Sequence, residues 1–180
     1  MFCYTDYPRA ELFVNGVSQG VRVKSDTSRL DRYRLRWRDV VYQPGAISAV
    51  AYRKGVRWAE TKVETTGPVA RLVLRPETES VAADGESVAY VNLDALDEQG
   101  RVVPRMRLKA SVTVSGGELV GVENGDETDL TGFRNRDHVI FNGHLSVIVR
   151  AKSGSEGAID VRVCPHDGGI ALATARVTVK

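Results

Sequence analysis

The sequence predicts an all-β fold: two tandem β-sandwich domains of the immunoglobulin-like type. Three observations point there. Apolar and polar residues alternate with period two along most of the chain, the spacing of a half-buried strand. Turn-forming pairs punctuate that alternation at short intervals, among them Asn15-Gly16, Pro44-Gly45, Gly116-Gly117 and Gly168-Gly169. No segment sustains apolar residues at i, i+3, i+4 and i+7 over three turns, so no long amphipathic helix is expected.

The first domain is expected over residues 1–67. Two short β-type runs, Phe2–Thr5 and Glu11–Val14, flank the turn-prone Asp6-Tyr7-Pro8. Asn15-Gly16 then joins Glu11–Val14 to Val17–Val23 as a hairpin. The chain thus enters a sheet almost at its first residue, as a piece of a longer protein would. Tyr33, Leu35 and Trp37 alternate with Arg32, Arg34, Arg36 and Arg38, so the apolar three are assigned to the core and the arginines to the opposite face. Ala46–Tyr52 and Val56–Thr65 pair across Arg53-Lys54-Gly55. That makes about six strands, a sandwich near the lower size limit for a self-sufficient core.

Gly67-Pro68 marks the boundary, because proline forces its neighbour out of helical geometry and glycine loosens the chain. The second domain, 68–180, holds about seven strands: Ala70–Leu74, Val88–Leu96, Leu108–Ser115, Glu118–Glu123, His144–Ala151, Gly157–Val163 and Ile170–Val179. The best helical stretch anywhere is short and irregular, around Asp126–Arg136.

Composition narrows the function. Hydrophobic content of 42% and charged content of 27% belong to a folded protein rather than a disordered one. The net charge of +2 is too small to suggest nucleic-acid binding. It divides as +5 over residues 1–67 and −3 over 68–180, opposite signs that would favour docking of the two domains on each other or of the first on an acidic neighbour, with two ordinary solvated surfaces as the alternative. No apolar run reaches the roughly 18–20 residues of a membrane span, and the N-terminal residues lack the layout of a signal peptide. Cys3 and Cys164, one near each end, are expected to be reduced and inert.

The chemistry-bearing residues give no catalytic constellation. Glycoside hydrolysis needs two carboxyl groups about 5–9.5 Å apart across a cleft. Glu60, Glu64, Glu123, Asp126, Glu127 and Asp129 are abundant but read as solvated, with Glu60 and Glu64 on the polar side of an edge strand. The run Glu123–Asp129 tempts a calcium assignment, but its glycine comes too early for an EF-hand loop, and a plain Asn-Gly turn is the reading adopted. His138, His144 and His166 read as surface residues, and no Gly-x-Ser-x-Gly elbow, HExxH, P-loop or GxGxxG is present. The arginines at 32–38 do not suit a nucleic-acid groove, because Tyr33 and Trp37 point the other way. Tyr4 and Trp37 are assigned to the core, while Tyr7, Tyr42 and Trp58 are free to be exposed and to stack on a sugar. No catalytic, cofactor-binding or metal-binding residue is assigned, and no cofactor is expected.

Two stretches, YTDYPRAELFVNGVSQG (Tyr4–Gly20) and DRYRLRWRDVVYQPGAISAVAYRKG (Asp31–Gly55), resemble the small β domain that follows the catalytic barrel in bacterial glycoside hydrolase family 2 enzymes of the β-galactosidase type. Ala82–Gly85, Ala89–Val91, Asp97–Pro104, Gly121–Asp126 and Phe141–Gly143 resemble the immunoglobulin-like domain that comes next. The resemblance implies a non-catalytic C-terminal accessory segment, with the barrel of the parent chain as its intramolecular partner and the acid/base and nucleophile glutamates on that barrel. It implies a periplasmic or extracellular parent. A glycan-binding module and a bacterial surface adhesion module are the alternatives kept alongside it.

Overall fold

The computed structural model describes all of residues 1–180, and every regular element in it is a strand. The all-β prediction holds. The chain divides into two compact units, Met1–Thr65 and Thr66–Lys180. Gly67 belongs with the second, where its amide donates to Asp97 at 3.0 Å.

The first unit has six strands: β1 (Phe2–Tyr4), β2 (Arg9–Val14), β3 (Val17–Val23), β4 (Arg34–Arg36), β5 (Ala46–Arg53) and β6 (Val56–Glu64). One sheet runs β3-β2-β5-β6, and β1 pairs with β4 as a second, two-stranded sheet. Both hairpins close on two-residue turns with positive φ, Asn15-Gly16 (49° and 80°) and Lys54-Gly55 (49° and 82°). Such turns match the right-handed twist of the strands they join. The Asn15 side chain also ties the first hairpin to β5. Its Nδ2 donates to the Pro44 carbonyl at 3.0 Å, and its Oδ1 accepts from the Ala46 amide at 2.8 Å. Between the sheets lie Ala10, Leu12, Leu35, Trp37, Ala49 and Ala51. Trp37 is 2% exposed, and its indole N–H donates to the Gly20 carbonyl at 2.8 Å.

Two aromatic assignments are corrected. Tyr33 is exposed because it sits in the bend before β4, where strand alternation has not begun. Tyr4 is also exposed, because β1 turns Cys3 inward and leaves Phe2 and Tyr4 on its outer face.

The second unit has nine strands: β7 (Arg71–Pro76), β8 (Ser80–Val81), β9 (Val88–Leu96), β10 (Arg107–Ser115), β11 (Glu118–Glu123), β12 (Asp137–Phe141), β13 (His144–Arg150), β14 (Gly157–Pro165) and β15 (Ala173–Val179). One layer pairs β7-β9-β13-β11 and the other β12-β10-β14-β15-β8. The layers share a single registered pair, Phe141 with His144, at the Asn142-Gly143 turn. All pairings are antiparallel except β15 with β8. This is the sheet arrangement of an immunoglobulin-like sandwich. Between the layers Val91, Leu93 and Val147 meet Val112, Ile140 and Val161, all 0% exposed. Each such side chain contributes about 1.5–3 kcal/mol on burial.

Asp126–Arg136, the best helical candidate in the sequence, is not a helix. Short polar side chains hold it in turns instead. Asp126 accepts from the Thr128 amide, and Asp129 from the Thr131 amide. Such local bonds compete with helical ones. The chain crosses from β10 to β11 at Gly116-Gly117. A Cβ on Gly116, whose φ is +76°, would stand 2.1 Å from the Ala158 carbonyl oxygen. We expect Gly116→Ala to destabilise the second unit by at least about 1–3 kcal/mol, read as a lower urea midpoint. Leu93→Ala is expected to cost about 2–5 kcal/mol in the same measurement.

Candidate functional site

The groups singled out in the sequence occupy different places, and the structure gives most of them a structural partner. Glu60 and Glu64 lie on β6, every residue of which is exposed, and they pair with Arg57 and Lys62. They do not oppose a second carboxyl group across a cleft. Asp126 pairs with Arg107 at 2.9 Å. Its carboxyl is held below the usual range, first by the Thr128 hydroxyl and amide and then by Arg107. Asp129 is likewise lowered, by the Thr131 hydroxyl and amide and by Asn124. The Glu123–Asp129 run is therefore a self-bonded loop, and no group of three or more His, Cys, Asp or Glu side chains is placed to hold a metal ion.

The histidines divide. His138 corrects the surface assignment: it is 5% exposed, under the loop that carries Asn124, Asp129 and Thr131. The reason is β12, unforeseen in the sequence, whose alternation points His138 and Ile140 inward. His144 is exposed and shares Asp94 with Arg75. His166 meets Ser111 and Asp137, the three residue types of a hydrolytic triad. Its Nε2 lies 2.8 Å from Ser111 Oγ and 3.8 Å from Asp137. In a triad the carboxylate holds the nitrogen remote from the serine. Here both groups face the same nitrogen, and the Ser111 hydroxyl donates to Asp137. The arrangement ties β10, β12 and the end of β14 together and leaves no base to activate the hydroxyl.

In the first unit rings and arginines stack on one another. Arg34 lies over Phe2 (4.7 Å to the centroid), Arg9 over Tyr52 and Arg53 over Trp58. Arg36 pairs with Asp31. Tyr42 and Trp58 are exposed, 67% and 56%, while Tyr7 packs on the core. Cys3 and Cys164 are free and half-buried. Burial raises the Cys3 thiol pKa against the opposing pull of Lys24, which lowers its reactivity.

The one fully buried carboxylate is Asp97, 0% exposed. Its Oδ1 accepts from the Arg101 amide at 2.8 Å, and its Oδ2 from Arg101 Nε at 2.8 Å and the Gly67 amide at 3.0 Å. Burial alone would raise its pKa. The Arg101 amide and guanidinium and the Gly67 amide outweigh that and bring it to about 2. The folded value is depressed, so the stabilisation is complete above the unfolded value near 4 and disappears as pH falls through about 2. We expect Asp97→Asn to melt at a lower temperature than the parent at pH 7, with the gap closing between pH 4 and pH 2 in thermal scans. A gap constant with pH would contradict this role.

Two family models match the chain, each within one of the two units. A family model described as glycoside hydrolase family 2 C-terminal domain 5 matches residues 72–169. A second, described as a domain of unknown function, DUF4982, matches residues 1–59. Beta-galactosidase BoGH2A of Bacteroides ovatus is 34% identical over 152 residues, which are 83% of this chain and 17% of that protein. A beta-glucuronidase of Formosa agariphila is 29% identical over 119 residues, 64% of this chain and 12% of that protein. The chain thus spans less than a fifth of the length of either relative. A glycosyl hydrolase family 2 member from Bacteroides cellulosilyticus superposes with a TM-score of 0.89 at 24% identity, over 98% of this chain and 24% of that one, a likeness of fold. The first family model covers over half of the chain, which belongs to the glycoside hydrolase family 2 C-terminal domain 5 family.

Proposed function

We propose that the chain is a non-catalytic accessory segment of a family 2 glycoside hydrolase, of the β-galactosidase type, bracing a catalytic module carried elsewhere in the polypeptide. The observation that carries this reading is the match to beta-galactosidase BoGH2A, which runs through most of both units yet occupies 17% of that protein. The acids support it. Glu60, Glu118, Asp126 and Asp160 each pair with an arginine, whereas a glycosidase needs one carboxyl group with a raised pKa opposite a second. We expect the purified 180 residues to leave nitrophenyl β-galactoside and β-glucuronide unhydrolysed. Saturable turnover that copurifies with the chain would overturn the proposal.

A second reading, a carbohydrate-binding module, draws on the exposed rings of Trp58, Tyr42 and Tyr33. Against it, the Arg53 guanidinium already lies over the Trp58 ring, 5.1 Å from its centroid. We expect no retardation of the chain in native gels containing neutral galactan. Retardation abolished by Trp58→Ala would favour the second reading.

A further inference from the structure

Two short basic pairs in the second unit meet across one groove. Arg134-Asn135-Arg136 lies in the loop between β11 and β12, and Arg150-Ala151-Lys152 at the end of β13. Arg134 and Arg136 come from the turn and bend before β12, and both line the groove. Ala151, 1% exposed, points into the core, so Arg150 and Lys152 point out of it. All four side chains line a groove of about 440 Å³, within the range of small-ligand sites.

The backbone beneath the loop pair is fixed on both sides. The Val122 amide of β11 donates to the Phe133 carbonyl, and the Val112 amide of β10 to the Arg136 carbonyl, each at 2.7 Å. Arg134 and Arg136 are therefore presented from an anchored segment rather than a free loop. The only carboxylate in the groove is Glu118, which binds Arg150 at 2.8 Å. Its pKa is lowered by Arg150 first, then by the charges of Lys152 and Arg134. Arg134, Arg136 and Lys152 have no carboxylate partner of their own. This excess of cations sits in the half of the sequence whose net charge is −3.

We propose that this groove is an anion-binding site that takes a short acidic glycan through its carboxylate groups. Guanidinium groups bind a carboxylate in the planar, two-pronged way that suits it, and here two of them rise from an anchored backbone. The size of the groove and the local nature of its positive charge fit a ligand of a few charges. The surrounding negative charge disfavours a long polyanion such as duplex DNA. The sugar part of the assignment rests on the accessory-segment reading, whereas the anion site rests on the four cations alone.

The test is calorimetric titration of the intact chain at low salt with a galacturonate trisaccharide, galactotriose, inorganic phosphate and a short DNA duplex. We expect the acidic trisaccharide to bind at one site and galactotriose not to bind. Arg134→Ala/Arg136→Ala should weaken binding at least about tenfold, as should raising NaCl from about 20 to about 200 mM. Glu118→Gln, which frees Arg150, should tighten it. Binding unchanged in the double variant and in Glu118→Gln would overturn the site. Phosphate or DNA binding as tightly as the trisaccharide would overturn the glycan assignment. The outcome is independent of the nitrophenyl assay, which bears on the accessory-segment reading alone.

Discussion

A chain that buries one face of each of two layers must cross between them, and in the second unit the crossings depend on glycine. At Gly116-Gly117 the backbone passes so close to Ala158 and Ile159 that no Cβ fits. At Asn142-Gly143 it passes within 2.7 Å, measured from an added Cβ, of the Val103 carbonyl. These crossings let β10 and β11 lie in different layers and let β12 and β13 separate after one registered pair. The apolar interface then follows from alternation alone. So does the basic groove, whose floor begins at Gly117 and whose walls come from the segments that β10, β11 and β13 fix in place.

Charge acts on two scales here. Counted over the sequence, the first part is basic and the second acidic, and the basic part is where an anionic partner would be sought. The structure disperses the arginines of the first unit. Arg34 stacks on Phe2, Arg36 pairs with Asp31, and Arg53 stacks on Trp58. It is the acidic half that gathers four cations around one carboxylate. Net charge governs long-range approach, whereas a site needs convergence.

The strands were legible where alternation ran long. Val88–Leu96 and Glu118–Glu123 match their predicted limits, and both two-residue hairpins of the first unit lie at their predicted turns. What alternation could not reach were short elements. β8 has two residues, and β12 contains a histidine at an inward position, so neither shows a clear period. Tyr4 was misplaced because a three-residue strand leaves the phase to be guessed, and Tyr33 because β4 begins only after it. The loop from Asp126 to Arg136 has helix-compatible residues but gives amides to its own Asp126 and Asp129 and to the adjacent Asn124 side chain. The groove was not legible at all: its two basic pairs are separated by β12 and β13, and the β11–β13 and β10–β12 pairings bring them together.

β6 leaves one flank of the first unit's larger sheet without a neighbouring strand, and none of its nine residues is buried. Val56, Trp58 and Val63 make that flank adhesive, a template on which a second identical flank would pair. Arg57, Glu60, Lys62 and Glu64 interrupt it with charge at nearly every other position. Two such flanks brought together would have to strip water from those ions, so the strand carries its own insulation against growing into a ribbon of copies.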